Sequence, residues 1–188
     1  MAHIRSEMPD DRDGIREVTR LAFGRESESV LVDGLRDEGA FVASLVAVED
    51  GQIVGHVLFT RVFIETKDGK ADGICMAPVS VHPEWQSKGL GSALIKSGFQ
   101  VCRSSGEKIA VVLGHPKYYP RFGFSPELGR QLQSVYSATA GDAWMAMELQ
   151  PGALAGLTGV VSFPKAFAAH EPEEKGPSPP PSRSSESA

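Results

Sequence analysis

Residues 77–94 read Ala-Pro-Val-Ser-Val-His-Pro-Glu-Trp-Gln-Ser-Lys-Gly-Leu-Gly-Ser-Ala-Leu, and the fold turns on this stretch. Its β-branched start reads as a strand, Pro83 stops that strand, and two glycines open the segment that follows. From Leu90 onward, small or apolar residues recur at Leu90, Ala93, Leu94, Ser97, Gly98, Val101 and Cys102, the spacing of a helix with one face on a sheet. A strand, a glycine-bearing loop and a helix therefore follow one another. The first turn of such a helix has backbone N–H groups without helical acceptors and carries the positive end of the macrodipole, so it can bind phosphate oxygens without a basic side chain. Gly89 and Gly91 would let that backbone approach a diphosphate, while Lys88 and the Ser92 hydroxyl would add a charge and a donor.

Working outward, the spacing of Ile15, Val18, Leu21 and Ala22 behind Asp10 and Asp11 predicts a helix over 13–23, and Val30, Leu31 and Leu35 predict a second over 26–37. The period then changes to that of strands. Residues 41–49 and 52–63 flank Asp50-Gly51, a strong hairpin signal, and further strands are expected at 74–81 and 108–113, the last almost wholly apolar and hence central. The fold class expected is α/β of the α+β kind, a mixed, mostly antiparallel sheet flanked by helices. Residues 1–169 read as one domain, and the Pro, Ser and Glu of 170–188 as a disordered tail, for want of a large apolar residue.

With 188 residues, a net charge of -5 and two cysteines, the chain has neither the basic excess of a general nucleic-acid binder nor a disulfide framework. No zinc-ligand spacing is seen, so no metal is expected. The polar start and the lack of a long apolar run lead to an expectation of a cytoplasmic protein without a membrane partner. The nucleoside-triphosphate loop Gly-x-x-x-x-Gly-Lys-Ser/Thr and the dinucleotide fingerprint Gly-x-Gly-x-x-Gly are both unmatched.

Gln86-Ser87-Lys88-Gly89-Leu90-Gly91 instead follows Gln/Arg-x-x-Gly-x-Gly, and here the sequence resembles the GNAT superfamily of N-acetyltransferases. The resemblance implies the acyl-CoA N-acyltransferase fold, with this loop on the pyrophosphate of acetyl-CoA. Val79-Ser80-Val81-His82-Pro83 is similar to the bulged family strand whose backbone pairs with the pantetheine arm, and the Val81 amide would polarise the acetyl carbonyl. Tyr118-Tyr119-Pro120-Arg121-Phe122-Gly123-Phe124 is similar to the family's Phe-Tyr-x-x-x-Gly-Phe signature, which makes Tyr119 the candidate acid and Tyr118 its reserve. Because proline disfavours a helical conformation in the residue before it, the short helix must end or turn at Pro120. Residues 159–167 resemble the close of a small bacterial subgroup of predicted acetyltransferases.

Amide formation from a thioester needs a neutral amine, a donor for the developing oxyanion and a proton for the thiolate. For the base, His115 ranks first, at the end of a central strand, ahead of His82 and Glu65; His56 and Trp85 read as structural. Cys75 and Cys102 lack a histidine partner motif, so direct transfer is expected rather than an acyl-cysteine. The expected partners are acetyl-CoA and a small amine or protein amine, and the sequence leaves a homodimer open. The other reading is a catalytically silent acyl-CoA-binding sensor module.

Overall fold

Asp50 and Gly51 adopt φ of 48° and 78°, the left-handed pair that a two-residue hairpin turn requires. In a computed structural model, which describes residues 2–170, this turn joins β2 (Phe41–Glu49) to β3 (Gln52–Thr66). β1 (His3–Ser6) pairs antiparallel with β2, and β4 (Gly69–Val81) with β3. Next come β5 (Ile109–Leu113), β6 (Leu132–Gln133), β7 (Trp144–Glu148) and β8 (Gly159–Ser162). The sheet runs β1-β2-β3-β4-β5-β7, with β8 on the far half of β3 and on β6. The β4–β5 and β6–β8 pairs are parallel and the others antiparallel, so the sheet is mixed and mostly antiparallel. The tail expected at 170–188 lies, from residue 171, outside the described residues.

Helices α1 (Arg12–Phe23) and α2 (Ser27–Asp37) cover one face of the sheet and α3 (Leu90–Ser104) the other. The α1 face is closed by Ile15, Leu31, Leu35, Val46 and Leu58, the α3 face by Leu94, Ile95, Phe99, Phe59 and Met145. α1 ends at Gly24, whose φ of 69° is the usual left-handed helix stop. Within α3 the buried residues are Leu94, Ile95, Gly98, Phe99 and Cys102, whereas Ala93 and Val101 are exposed. The stripe predicted from small residues is thus rotated toward Ile95 and Phe99, whose larger side chains remove more apolar area from water.

β4 starts at Gly69, five residues before the expected strand, because its polar first half pairs with β3 through Lys70 opposite Glu65 and Ala71 opposite Ile64. Between the pairs Val57–Val79 and Phe59–Met76 the register slips, with Ala77 and Pro78 facing the single residue Leu58. The bulge therefore lies at 77–78, just ahead of the expected 79–83. Pro78 has no N–H to give the ladder, and a bulge is where a strand interior tolerates proline. Among the described residues, no helix is long and apolar enough to cross a membrane.

Candidate functional site

β4 and β5 pair only at Ile74–Ala110 and Cys75–Val111, and beyond Cys75 the strands part. Which backbone groups that parting exposes follows from one hydrogen bond. His82 N–H donates to Val54 C=O (2.9 Å), so in the alternating antiparallel pattern His82 and Ser80 bond β3, while Val79 and Val81 turn N–H and C=O to the β5 side. The Val81 carbonyl accepts from Gln86 Nε2 at 3.0 Å, which leaves the Val81 N–H and both backbone groups of Val79 facing the gap. Ser80 points its side chain away, with its hydroxyl on Thr19 Oγ1 at 3.2 Å.

At one end of the gap stands the start of α3. Its first hydrogen bond runs from Ala93 N–H to Gly89 C=O, so the amides of Leu90, Gly91 and Ser92 precede the first helical acceptor. The two glycines are there for different reasons. Gly89 has φ of 84° with open space around it, a backbone requirement, whereas Gly91 has an ordinary φ and a Cβ on it would meet nothing closer than Val81 Cγ2 at 3.5 Å. The protein itself would accept a methyl at 91; a ligand close to the Gly91 backbone would not. Ser87 in the same loop holds φ of 61°, uncommon for a residue with a side chain.

Two cavities meet across the gap. One, of about 560 Å³, is lined by Gln86, Ser87, Gly89, Gly91, Ser92 and Arg121 among others, on the α3 side. The second, of about 330 Å³, lies on the α1–α2 side among Leu31, Cys75, Tyr136, Trp144, Phe163 and Phe167. Phe23, Val79 and Tyr119 line both. The cleft thus crosses the sheet from one face to the other through the place where β4 leaves β5.

Tyr119 is the first residue of a 3-10 turn, Tyr119–Phe122, with Pro120 in that first turn, where a missing N–H costs nothing. Its ring fits because residue 114 is glycine: a Cβ there would lie 2.0 Å from Tyr119 Cε2. Edge-to-face contacts with Tyr118 (5.1 Å) and Phe124 (6.0 Å) fix the ring, and burial, then Tyr118 and Cys75, push its phenol up to about 12. Tyr118 Oη lies 3.3 Å from Ser92 Oγ, and the Arg121 guanidinium stacks 4.4 Å from the Tyr118 ring centroid.

The other sequence candidates fall elsewhere. His115 is exposed and outside both linings; its Nδ1 accepts from Lys117 N–H and its carbonyl from Tyr118 and Tyr119 N–H, so it shapes the turn that carries Tyr119. His82 Nδ1 accepts from Glu84 N–H at 3.3 Å, and Glu65 pairs with Lys70 at 3.0 Å, on the distant β3–β4 hairpin. Lys88 leans over the Trp85 ring at 5.3 Å instead of lining the cavity. His56 is fully buried, its Nε2 2.9 Å from Ser44 Oγ. Sequence reading did not find Arg121, Phe23 or the aromatic wall, since only tertiary structure brings them to the gap.

A sheet parted at its centre, a bulged strand with backbone groups turned into the parting and a glycine-opened helix at its mouth define a protein built to hold an extended, phosphate-bearing ligand. The acetyltransferase (GNAT) domain model matches residues 3–126, and the chain belongs to this family. It is 34% identical over 165 residues to the N-acetyltransferase YhbS of Escherichia coli K12, covering 87% of this chain and 97% of that protein. With YjhQ, an N-acetyltransferase of the same strain, identity is 45% over 124 residues, 63% of this chain and 67% of the other. The crystal structure of E. coli YhbS in complex with CoA superposes with a TM-score of 0.82 at 32% identity, covering 89% of this chain and 92% of that one. A Brucella melitensis GNAT acetyltransferase in complex with acetyl-CoA gives 0.74 at 34% identity, covering 89% and 98%.

Proposed function

We propose that this chain is an acetyl-CoA-dependent N-acetyltransferase that moves the acetyl group directly to a primary amine. The observation that carries the reading is the cleft through the sheet, with diphosphate chemistry at one mouth and an apolar cavity at the other. Kinship with YhbS and with the Brucella enzyme, solved with CoA and acetyl-CoA respectively, supports the choice of ligand. The residues present fit it. The amides of Leu90, Gly91 and Ser92, with Ser92 Oγ and Arg121, would hold the diphosphate, and Val79 and Val81 would pair with the pantetheine amides.

Acetyl-CoA supplies an acetyl thioester. Val79 N–H is better placed than Val81 N–H to meet charge on the acyl oxygen, because Val79 lines both cavities and Val81 only the diphosphate side. A fixed backbone donor of this kind needs no reorganisation as the charge appears. In the transfer the amine N–C bond forms and the C–S bond breaks; one amine proton ends on sulfur, and the other proton of the starting ammonium passes to solvent. Tyr119 holds its proton at neutral pH and donates a hydrogen bond to the departing sulfur. A thiol titrates at ~8 to 9, so a phenol near 12 assists without surrendering its proton outright.

Entry of the two substrates from opposite faces supports direct transfer. So does the state of Cys75, the one cysteine lining the amine-side cavity, whose thiol burial pushes up to about 12 and so holds it un-ionised at neutral pH. Release of free thiol from acetyl-CoA across a panel of amines tests the reading: amine-dependent release is expected. Tight acetyl-CoA binding with no release for any amine would leave the silent sensor module in its place.

A further inference from the structure

The amine-side cavity is built for one kind of acceptor. Trp144, Tyr136, Phe163 and Phe167 form a preformed wall, with Phe163 edge-on to Tyr136 (5.3 Å) and Trp144 (6.2 Å) and tilted on Phe167 (5.0 Å). Trp144 is locked by its Nε1–H on Leu132 C=O at 2.7 Å. Such a wall offers flat apolar surface and few polar partners to a ligand body.

Against this wall stands a single lining carboxylate. Glu28 is 8% exposed and accepts from Arg25 Nε at 3.0 Å and Ser27 Oγ at 2.7 Å. Burial alone would raise its pKa, but the bonds from Arg25 and Ser27 outweigh it and hold the carboxyl below its ordinary value, hence ionised. A carboxylate accepts about four hydrogen bonds, and Arg25 Nε to both oxygens, Arg25 Nη2 to Oε1 and Ser27 Oγ to Oε2 take up that capacity, so what Glu28 offers the cavity is its charge. The Arg25 side chain is 67% exposed, so its charge is screened by water, whereas that of Glu28 faces a low-dielectric cavity.

Beside it, His170 Nε2 lies 3.0 Å from the carbonyl of Ser27, the residue that also bonds Glu28. A carbonyl only accepts, so Nε2 is the donor; in the neutral ring Nδ1 is then an acceptor, and it is buried with no hydrogen-bond partner among the described residues. A buried negative charge and an orphaned acceptor on one wall suit a ligand with an N–H donor and a positive charge. Both stand on or against the start of α2, which three residues, 24–26, separate from Phe23, a lining residue of both cavities.

We infer that the acceptor is a primary amine carried on a flat, apolar body of arylalkylamine type, with its ammonium taken up by Glu28 and His170 Nδ1 and its ring by the Trp144–Phe163 wall. This rests on the acetyltransferase reading for turnover, though not for binding. The test uses the full chain saturated with CoA and 2-phenylethylamine as probe, with binding followed by calorimetry and turnover by thiol release from acetyl-CoA. Saturable binding is expected, with kcat/KM at least about tenfold above that of a polyamine, an amino sugar or a lysine peptide. Glu28→Gln should raise KM about tenfold with kcat little changed, and His170→Ala should weaken binding severalfold. Inhibition by 2-phenylethanol, which keeps the ring and lacks the ammonium, should be alike in wild type and Glu28→Gln. A general structural collapse would weaken both ligands together.

Absence of 2-phenylethylamine binding, or preferred acetylation of a polar amine or peptide, overturns the inference and leaves the acetyltransferase reading standing. Binding that depends on Glu28 without any thiol release upholds the amine site and removes the acetyltransferase reading instead.

Discussion

Tyr119 and the glycines around it do their work by shape before chemistry. The ring reaches the junction of the two cavities only because Gly114 leaves room for it, and once there it meets the gap with a hydroxyl too weakly acidic to ionise near neutrality. On the proposed reading, a hydrogen bond to sulfur, not full proton donation, would be its contribution. Tyr119→Phe should lower kcat about tenfold to a hundredfold while the dissociation constant of acetyl-CoA stays within about twofold, as steady-state kinetics and calorimetry would reveal. Turnover equal to wild type would remove Tyr119 from the chemistry. The glycine-bearing loop proposed to hold the diphosphate could be read from residues alone because its physics is local: six consecutive residues carry the turn and the helix start. Arg121, Glu28 and Phe163 were not readable in this way, since each is an ordinary surface or core residue until the fold assembles it with partners far away in the chain.

Among the elements, α3 shows how packing overrules a pattern of small residues. Phe59 of β3 is fully buried, 5.3 Å edge-on to Phe99, and its ring occupies the space a side chain at Gly98 would need: a Cβ there would lie 2.1 Å from Phe59 Cε2. Alanine at 98 gains about 1 kcal/mol of helix propensity and meets an overpacking cost of about 1–3 kcal/mol, so Gly98→Ala should be net destabilising. A lower urea midpoint at unchanged m-value is expected; a raised midpoint would contradict this packing. Turn chemistry and periodicity revealed β2 and α1 to within a residue, and β3 except for its last three residues. They did not reveal the first half of β4, which is polar and outward-facing, or β7, a five-residue segment whose first four residues are buried and which therefore shows no alternation.

Taken as a whole, the molecule is two cores on either side of one sheet, and its buried polar groups tie stability to pH. His56 sits on β3 with Ser44 Oγ at its Nε2, Glu7 4.0 Å away and Arg36 on the far side of Glu7. Burial, with help from Arg36, pushes the His56 imidazole down to about 3. In the unfolded chain it returns to ~6.5, so between those values the unfolded state binds a proton that the folded state refuses. Stability should therefore fall as pH drops from ~6.5 toward about 3 and be indifferent to His56 above ~7. Denaturant titrations of His56→Gln should show a shallower loss over that window; an unchanged slope would mean that another group governs it. On the proposed function the same global arrangement governs the reaction, because the parting of β4 from β5 would let a ligand bound on one face reach an acceptor bound on the other. The most direct check on that arrangement is the affinity for acetyl-CoA of Gly91→Glu against wild type, with melting temperature as the folding control. A carboxylate among the α3 amides should weaken binding at least about tenfold while the protein melts as before. Equal affinity in the two proteins would contradict the account at its base.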